Sequence, residues 1–206
     1  MRRARSSPDT AADDGELGFG ATLRSGLGEI RRNGPVLTAA AFLIAISAIW
    51  GSLDEYVPLL AADTGVTTEK LPALMLIVYA GVAVGGLLGG VGRRLRRRGL
   101  AGLLAAGAVA LAAGALSGHI AGFVLIALAF GAFQLIEIGA DARLQHAITG
   151  NARSTVTSVA GFGTDIATIG IFAAYGLGSV AASHAVLFAV AAAGYGALAL
   201  LVSLRR

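Results

Sequence analysis

Long apolar runs separated by short polar segments dominate the chain, and six of them approach the length of about 20 residues that crosses a bilayer as a helix. Because backbone polar groups in hydrocarbon need internal partners, such runs are helical. The predicted spans are about 36–56, 71–92, 100–117, 120–142, 154–180 and 185–204. The pattern predicts an all-α, polytopic membrane protein whose six spans form one domain over residues 34–206.

The chain before the first run has a different pattern. Residues 1–16 are polar and mixed in charge, and no apolar stretch follows their basic start, which indicates a disordered cytoplasmic tail and not a cleavable signal peptide. In residues 17–33, Leu23, Leu27 and Ile30 recur at helical spacing. This predicts an interfacial amphipathic helix or linker on the inner leaflet.

Helix-start and packing signals fall at the ends and along the face of the first two spans. Pro35 and Pro72 occupy first-turn positions, where a missing N–H costs little. Gly81, Gly85 and Gly89 follow at every fourth position of the second span. Small residues at this spacing let a neighbouring helix approach closely, so we expect a packing face there.

The basic residues predict the orientation. Fifteen of the sixteen Lys and Arg lie in the N-terminal segment, the loop after the second span, the loop after the fourth span or the C-terminus, and only Lys70 lies on the other side. Short loops rich in Lys and Arg stay in the cytoplasm. We therefore expect a multi-pass protein of the inner (plasma) membrane with both termini cytoplasmic.

Composition narrows the function classes. The chain is 56% apolar and 14% charged, and its mean hydropathy is +0.76, far from a soluble domain. Its net charge of +4 resides in loops without aromatic interleaving, so no nucleic-acid partner is expected. Cysteine is absent and histidine occurs three times, so we expect neither a metal site nor a cofactor. An intramembrane hydrolase would need a buried base beside Ser158, and no histidine is placed there, so no enzyme is predicted.

Asp165 is the most informative residue of the fifth span. It lies about 16 Å along the helix from Ser154, near the middle of a hydrocarbon core about 30 Å thick. One broad arc of this helix carries its polar and small residues, namely Ser154, Ser158, Gly161, Asp165, Thr168 and Tyr175. Two interpretations remain open: a proton or substrate pathway, or a neutral acid that hydrogen-bonds for helix packing.

The fourth span carries a polar stripe at its inner end, formed by Gln134, Glu137, Asp141 and Gln145. Spacings of three, four and four place these side chains on one helical face. Glu137 and Asp141 repel each other unless a cation intervenes, and Arg143 and Arg153 are the nearby candidates. The alternative is that the helix has left the membrane here and the stripe is solvated.

Two further groups of charged residues can be interpreted either as functional or as ordinary solvated and topological charges. Asp54 and Glu55 end the first span, where a solvated pair and a substrate contact are both open. The loop after the second span sets the topology, and it gains a gating role only if its arginines pair with acids on moving helices. The residues of this loop or gate are Arg93, Arg94, Arg97, Arg98, Asp141 and Arg153.

Three segments resemble the C-terminal six-helix half of a major facilitator superfamily transporter. Residues 89–98 (GGVGRRLRRR) are similar to the family's loop of glycine, three residues, aspartate, a basic residue, any residue, glycine and two basic residues, with Arg93 and Arg96 replacing the aspartate and the second glycine. Residues 152–158 (ARSTVTS) resemble the start of the penultimate helix. Residues 55–60 (EYVPLL) look like the acidic and aromatic exit from the seventh helix.

The resemblance implies a fold and a function. Each half of such a transporter is two inverted three-helix repeats, and two halves rock around a site near the bilayer midplane. It implies secondary active transport of a small molecule, with proton-coupled export as the expected activity and efflux as its direction. The partners would be the lipid bilayer, the substrate, protons and a second six-helix half, as a homodimer or a separate chain, unless the chain is a truncated product.

The expected pathway and its alternative can be stated by residue. The pathway would be lined by Asp165, Glu137, Gln134, Thr168, Tyr175 and Ser158. The alternative function is a non-transporting membrane scaffold or accessory subunit, which the Ala and Gly content and the missing half permit.

Overall fold

The computed structural model describes residues 33–148 and 153–204, together with residue 28. The predicted tail, residues 1–16, lies outside the described residues. So does the predicted interfacial helix, residues 17–33, apart from Gly28 and Asn33.

All regular elements among the described residues are helical. They are α1 (Gly34–Asp54), α2 (Val57–Asp63), a short 3₁₀ turn (Thr68–Lys70), α3 (Leu71–Leu87), α4 (Gly89–Arg94), α5 (Arg97–Leu116), α6 (Gly122–Ala147), α7 (Arg153–Gly178) and α8 (His184–Leu204). Six helices are long and apolar enough to cross a membrane: α1, α3 with the preceding turn, α5, α6, α7 and α8. The all-helical, multi-pass part of the prediction is thus confirmed, and the inverted-repeat arrangement stays a prediction.

The first two spans begin as their prolines predict. Asn33 caps α1, its side-chain oxygen accepting a hydrogen bond from the Val36 backbone N–H at 3.4 Å, and Pro35 follows in the first turn. Pro72 likewise lies in the first turn of α3. Local sequence signals therefore account for where these helices start.

Two spans differ from the predicted bounds. The second span, predicted as continuous over residues 71–92, is interrupted at Leu88 and continues as α4. Glycines flank this position, and each glycine inside a helix costs about 1 kcal/mol relative to alanine. The fourth span runs to Ala147, beyond the predicted end near 142, so the polar stripe stays helical throughout.

The centre of the bundle is α6, which packs against α1, α3, α4 and α5. Its large side chains Phe123, Phe130, Phe133 and Ile136 are fully buried. Helix α5 also packs on α8, whereas α7 packs principally on α1 and leaves much of its surface uncovered. The fold is thus a compact group around α6 with α7 on its flank.

Glycines bring α3 and α4 into backbone contact with α6. A Cβ atom at Gly81 would overlap the backbone of Ala127, and one at Gly85 would overlap the carbonyl oxygen of Gly131. Conversely, a Cβ atom at Gly131 of α6 would lie 2.5 Å from the carbonyl oxygen of Gly81 on α3. The predicted close-packing face is confirmed, and its partner is α6.

The bundle has two chemically different ends. We call the end that carries the arginines of residues 93–98 and the start of α1 the arginine end. The other end, called the opposite end, carries α2, the 3₁₀ turn and residues 117–121 and 179–183.

Candidate functional site

A cavity of about 600 Å³ lies between α1, α6 and α7. Its wall is formed by Leu43, Ser47, Trp50, Gln134, Glu137, Ile138, Asp141, Leu144, Thr157, Ala160, Gly161, Thr164 and Asp165. Three carboxylic acids and no basic residue line it, so this wall favours cations or protons over anions.

The acids come from two helices that meet at this cavity. On α6, Gln134, Glu137 and Asp141 lie on one face because they are spaced three and four residues apart. On α7, Asp165 follows Gly161 by one turn on the same face. The two polar faces predicted from separate stretches of sequence therefore lie on one cavity.

Glu137 is held in place by two donors from α1. Ser47 Oγ donates to its Oε1 at 2.6 Å, and Trp50 Nε1 donates to its Oε2 at 2.7 Å. Each carboxylate oxygen thus accepts one short hydrogen bond from α1. The Trp50 ring also packs edge-on against Phe130, with 5.9 Å between ring centroids. These contacts fix Glu137 on the wall.

Asp165 has a different environment from Glu137. It lies about 18 Å along α7 from Arg153, close to the midpoint of that helix. Its side chain is exposed, and the hydrogen bonds found among the described residues include none to it. An acid at this depth without a protein partner needs water, a ligand or a proton.

Side-chain contacts lie on either side of the cavity, toward the two ends of the bundle. Toward the arginine end, an apolar cluster joins α1, α6 and α7; its buried members are Val36, Ala40, Leu144, Ile148, Val156, Val159 and Ala160. Beside it, Gln145 Nε2 donates to Thr157 Oγ1 at 3.1 Å. Toward the opposite end, the Tyr56 ring stacks on Tyr175 with 3.6 Å between centroids. Between these two groups of contacts, Gly161 and Asp165 of α7 are exposed.

Three of the predicted pathway residues lie off the cavity wall. Thr168 shares the polar arc of α7 but lies one turn beyond Thr164, and Ser158 is exposed toward the arginine end. Tyr175 is buried at the opposite end, where its hydroxyl lies 2.8 Å from His184 Nδ1. The structure brings together Gln134, Glu137 and Asp165 on one cavity wall. It places Ser158, Thr168 and Tyr175 on α7 at other depths.

The predicted outer-end acids lie apart from the cavity. Asp54 accepts a hydrogen bond from the Tyr79 hydroxyl at 3.3 Å, and Glu55 is exposed. Both belong to the opposite end of α1 and its continuation. Whether Asp54 and Glu55 contact a substrate at the opposite end stays a prediction.

The predicted cation partner of the α6 acids points elsewhere. Arg143 Nη2 donates to the carbonyl oxygens of Gly92 at 3.2 Å and Leu95 at 2.8 Å. Arg143 therefore ties α6 to the end of α4 and to the loop that follows it, and Glu137 accepts hydrogen bonds from the α1 donors instead. Arg93, Arg94, Arg97, Arg98 and Arg153 are exposed at the arginine end.

Sequence reasoning missed Ser47 and Trp50. They are three residues apart on the first span, which places a hydroxyl and the only tryptophan of the chain on one helical face. This spacing marks a polar spot in an apolar span, and only the packing of α1 against α6 shows what it contacts.

The acids of the cavity do not form a metal cluster. In the part of the chain covering 33–148 and 153–204, no group of three or more His, Asp or Glu side chains converges closely enough to hold a metal ion. The carboxylates therefore line the wall separately.

Comparison with known proteins gives no assignment: no family model matches the chain, and neither a curated protein nor a solved structure matches it.

Proposed function

We propose that the chain is one half of a secondary active transporter that exports a small, cationic or protonatable molecule in exchange for protons. The observation that carries the proposal is the cavity between α1, α6 and α7, which holds Glu137, Asp141 and Asp165 within a membrane-spanning bundle. Ionisable residues at this depth are costly in hydrocarbon and are retained where they serve a pathway.

The uncovered face of α7 supports the need for a second bundle. Gly161 and Asp165 line the cavity and are exposed on α7, which packs principally on α1 among the described helices. A polar face of this kind is unfavourable against lipid tails, so a protein partner or water has to cover it. A second six-helix half, from another copy or a separate chain, would close the cavity as in two-bundle transporters.

Glu137 and Asp165 have different roles in this proposal. Glu137, held by Ser47 and Trp50, is the fixed negative charge that attracts the substrate or proton. Asp165, which lacks such donors, is the acid that takes up and releases protons. With the arginine end in the cytoplasm, as the Lys and Arg distribution predicts, exchange at this acid would couple export to proton entry.

Labelling single cysteines on α7 tests whether the cavity is wet. The chain has no cysteine of its own, so Gly161→Cys introduces one on the cavity wall. Phe162→Cys is the matched control, because Phe162 is 55% exposed and lies about 100° further round the helix, off the cavity wall. In membrane vesicles, we expect a hydrophilic thiol reagent to modify Gly161→Cys at least about ten times faster, since only thiolates in water react readily.

Equal, slow labelling at both positions would contradict the proposal. It would show that the polar face of α7 is sealed in protein, as a non-transporting scaffold or accessory subunit requires. Fast labelling at both positions would show that α7 is not embedded in the membrane.

A further inference from the structure

A second cavity lies at the arginine end between α1, α5, α6 and α8. It is separate from the cavity lined by Glu137, Asp141 and Asp165, which we call the acidic cavity. Its volume is about 640 Å³, and it shares no lining residue with the acidic cavity. We call it the basic groove. Its walls are apolar side chains and backbone, including Phe42, Leu100, Leu198 and Leu201, and its only charged lining residues are arginines.

The two arginines of the basic groove are Arg97 and Arg143. Among the residues that the structure describes, Arg143 donates only through Nη2, to Gly92 and Leu95, so its Nε and Nη1 donors can meet a further acceptor. Arg97 is exposed at the first residue of α5. The side chain at the α5 N-cap, Arg96, makes no capping hydrogen bond, so the positive end of the helix dipole adds to these charges.

We propose that the basic groove binds an anionic phospholipid, with its phosphate at Arg97 and Arg143 and an acyl chain along the apolar wall. The charge complementarity favours an anionic headgroup over a zwitterionic one, because the rim supplies only positive groups. The apolar wall lies on a membrane-spanning bundle, where lipid tails are the available apolar ligand.

The chain segment before α1 is the competing occupant, because it leads directly to Gly34 and Pro35 at the groove. Its last sixteen residues before Asn33, residues 17–32, contain three arginines and one glutamate. This net positive charge is unfavourable beside Arg97 and Arg143, whereas a phosphate is attracted. The charges therefore favour lipid over the chain itself.

Lipid binding to the purified full chain tests the proposal by native mass spectrometry. Phosphatidylglycerol and phosphatidylcholine with identical acyl chains are the two probes. We expect phosphatidylglycerol to bind more tightly than phosphatidylcholine. We expect Arg97→Gln with Arg143→Gln to weaken phosphatidylglycerol binding about 25-fold, since each arginine near an anionic headgroup contributes roughly a factor of five. The matched control is Arg93→Gln with Arg94→Gln, which removes the same charge from exposed residues outside the groove.

The control should weaken binding less than about threefold. Equal loss in both double variants would overturn the proposal, because it would mean that the loop gathers anionic lipid by charge alone. Equal affinity for the two lipids in the unmodified chain would overturn it as well.

A third variant guards against indirect effects, because Arg143 also ties α6 to the loop. Ala41→Phe fills the groove and leaves all arginines in place. We expect it to lose phosphatidylglycerol binding, and retained binding would contradict the site. Finally, rapid disulfide formation between Leu27→Cys and Leu201→Cys in phosphatidylglycerol vesicles would show that the preceding segment occupies the groove.

Discussion

Asp165→Asn is expected to reduce substrate flux driven by a pH gradient to the level of protein-free vesicles. Asparagine keeps the size and polarity of the side chain but cannot carry a proton, so the exchange step that we assign to this acid is lost. The acidic cavity wall makes an organic cation such as ethidium the appropriate probe. The measurement is the efflux of this probe from proteoliposomes that contain the chain and its second bundle.

The control for this variant is Glu69→Gln, which removes one carboxylate from the exposed 3₁₀ turn at the opposite end. It should transport like the unmodified chain, and both variants should insert and purify in equal yield. Unchanged flux in Asp165→Asn would reject the role of this acid. Loss of flux in Glu69→Gln as well would indicate that removing any carboxylate from the chain lowers the flux, so the loss in Asp165→Asn would not be specific to the cavity.

Gly85→Leu is expected to prevent assembly of the bundle. A Cβ atom at this position already overlaps the carbonyl oxygen of Gly131, and backbone cannot move aside as a flexible side chain can. The three further carbons of leucine would separate α3 from α6, the helix on which most of the bundle packs. Overpacking of a tight core costs about 1–3 kcal/mol or more, and we place this case above about 3 kcal/mol.

The matched pair Gly85→Ala and Gly86→Ala isolates the contact. A Cβ at Gly86 approaches no closer than 4.0 Å, to Gln134 Cγ, so alanine there gains helix propensity at no packing cost. We expect Gly85→Ala to lower the thermal unfolding temperature in detergent and Gly86→Ala to leave it unchanged or raise it. Equal behaviour of the two alanine variants would contradict the backbone contact between α3 and α6.

The sequence predicts the spans and their polar faces because these depend on local physics. Hydrophobic length decides that a segment crosses a bilayer, and helical periodicity decides that Glu137 and Asp141 share a face. The glycines of the second span predict close packing for the same reason. None of these signals identifies the partner helix, which is why α6 as the common partner emerges only from the structure.

Other features escape sequence reasoning because they depend on tertiary contacts. Periodicity places Thr168 and Tyr175 on the arc of Asp165, but neither residue lines the cavity, and the Tyr175 ring instead stacks on Tyr56. Arg143 and Arg153 were the candidate cations for the acids of α6, with a solvated stripe as the alternative. Arg143 lies on another side of that helix and donates to backbone carbonyls, and Ser47 and Trp50 of α1 are the donors to Glu137.

The position of α7 ties the site to the idea of a second bundle. A helix that packs principally on α1 and presents Asp165 on an uncovered side is poorly suited to a bundle surrounded only by lipid. The same arrangement fits a cavity of which this chain supplies one wall. The proposed function therefore depends on whether a second six-helix bundle covers that wall.

The central claim is that this chain supplies one wall of a transport cavity. Substrate flux through the unmodified chain is its most direct test. Proteoliposomes with an imposed pH gradient would contain either the chain alone or the chain together with a candidate second six-helix bundle, and ethidium efflux would be followed in both. The account predicts efflux that depends on the gradient in at least one preparation: in the first if two copies suffice, in the second if a separate chain is needed. Vesicles that stay as tight as protein-free ones in both preparations would contradict it and favour a non-transporting membrane subunit.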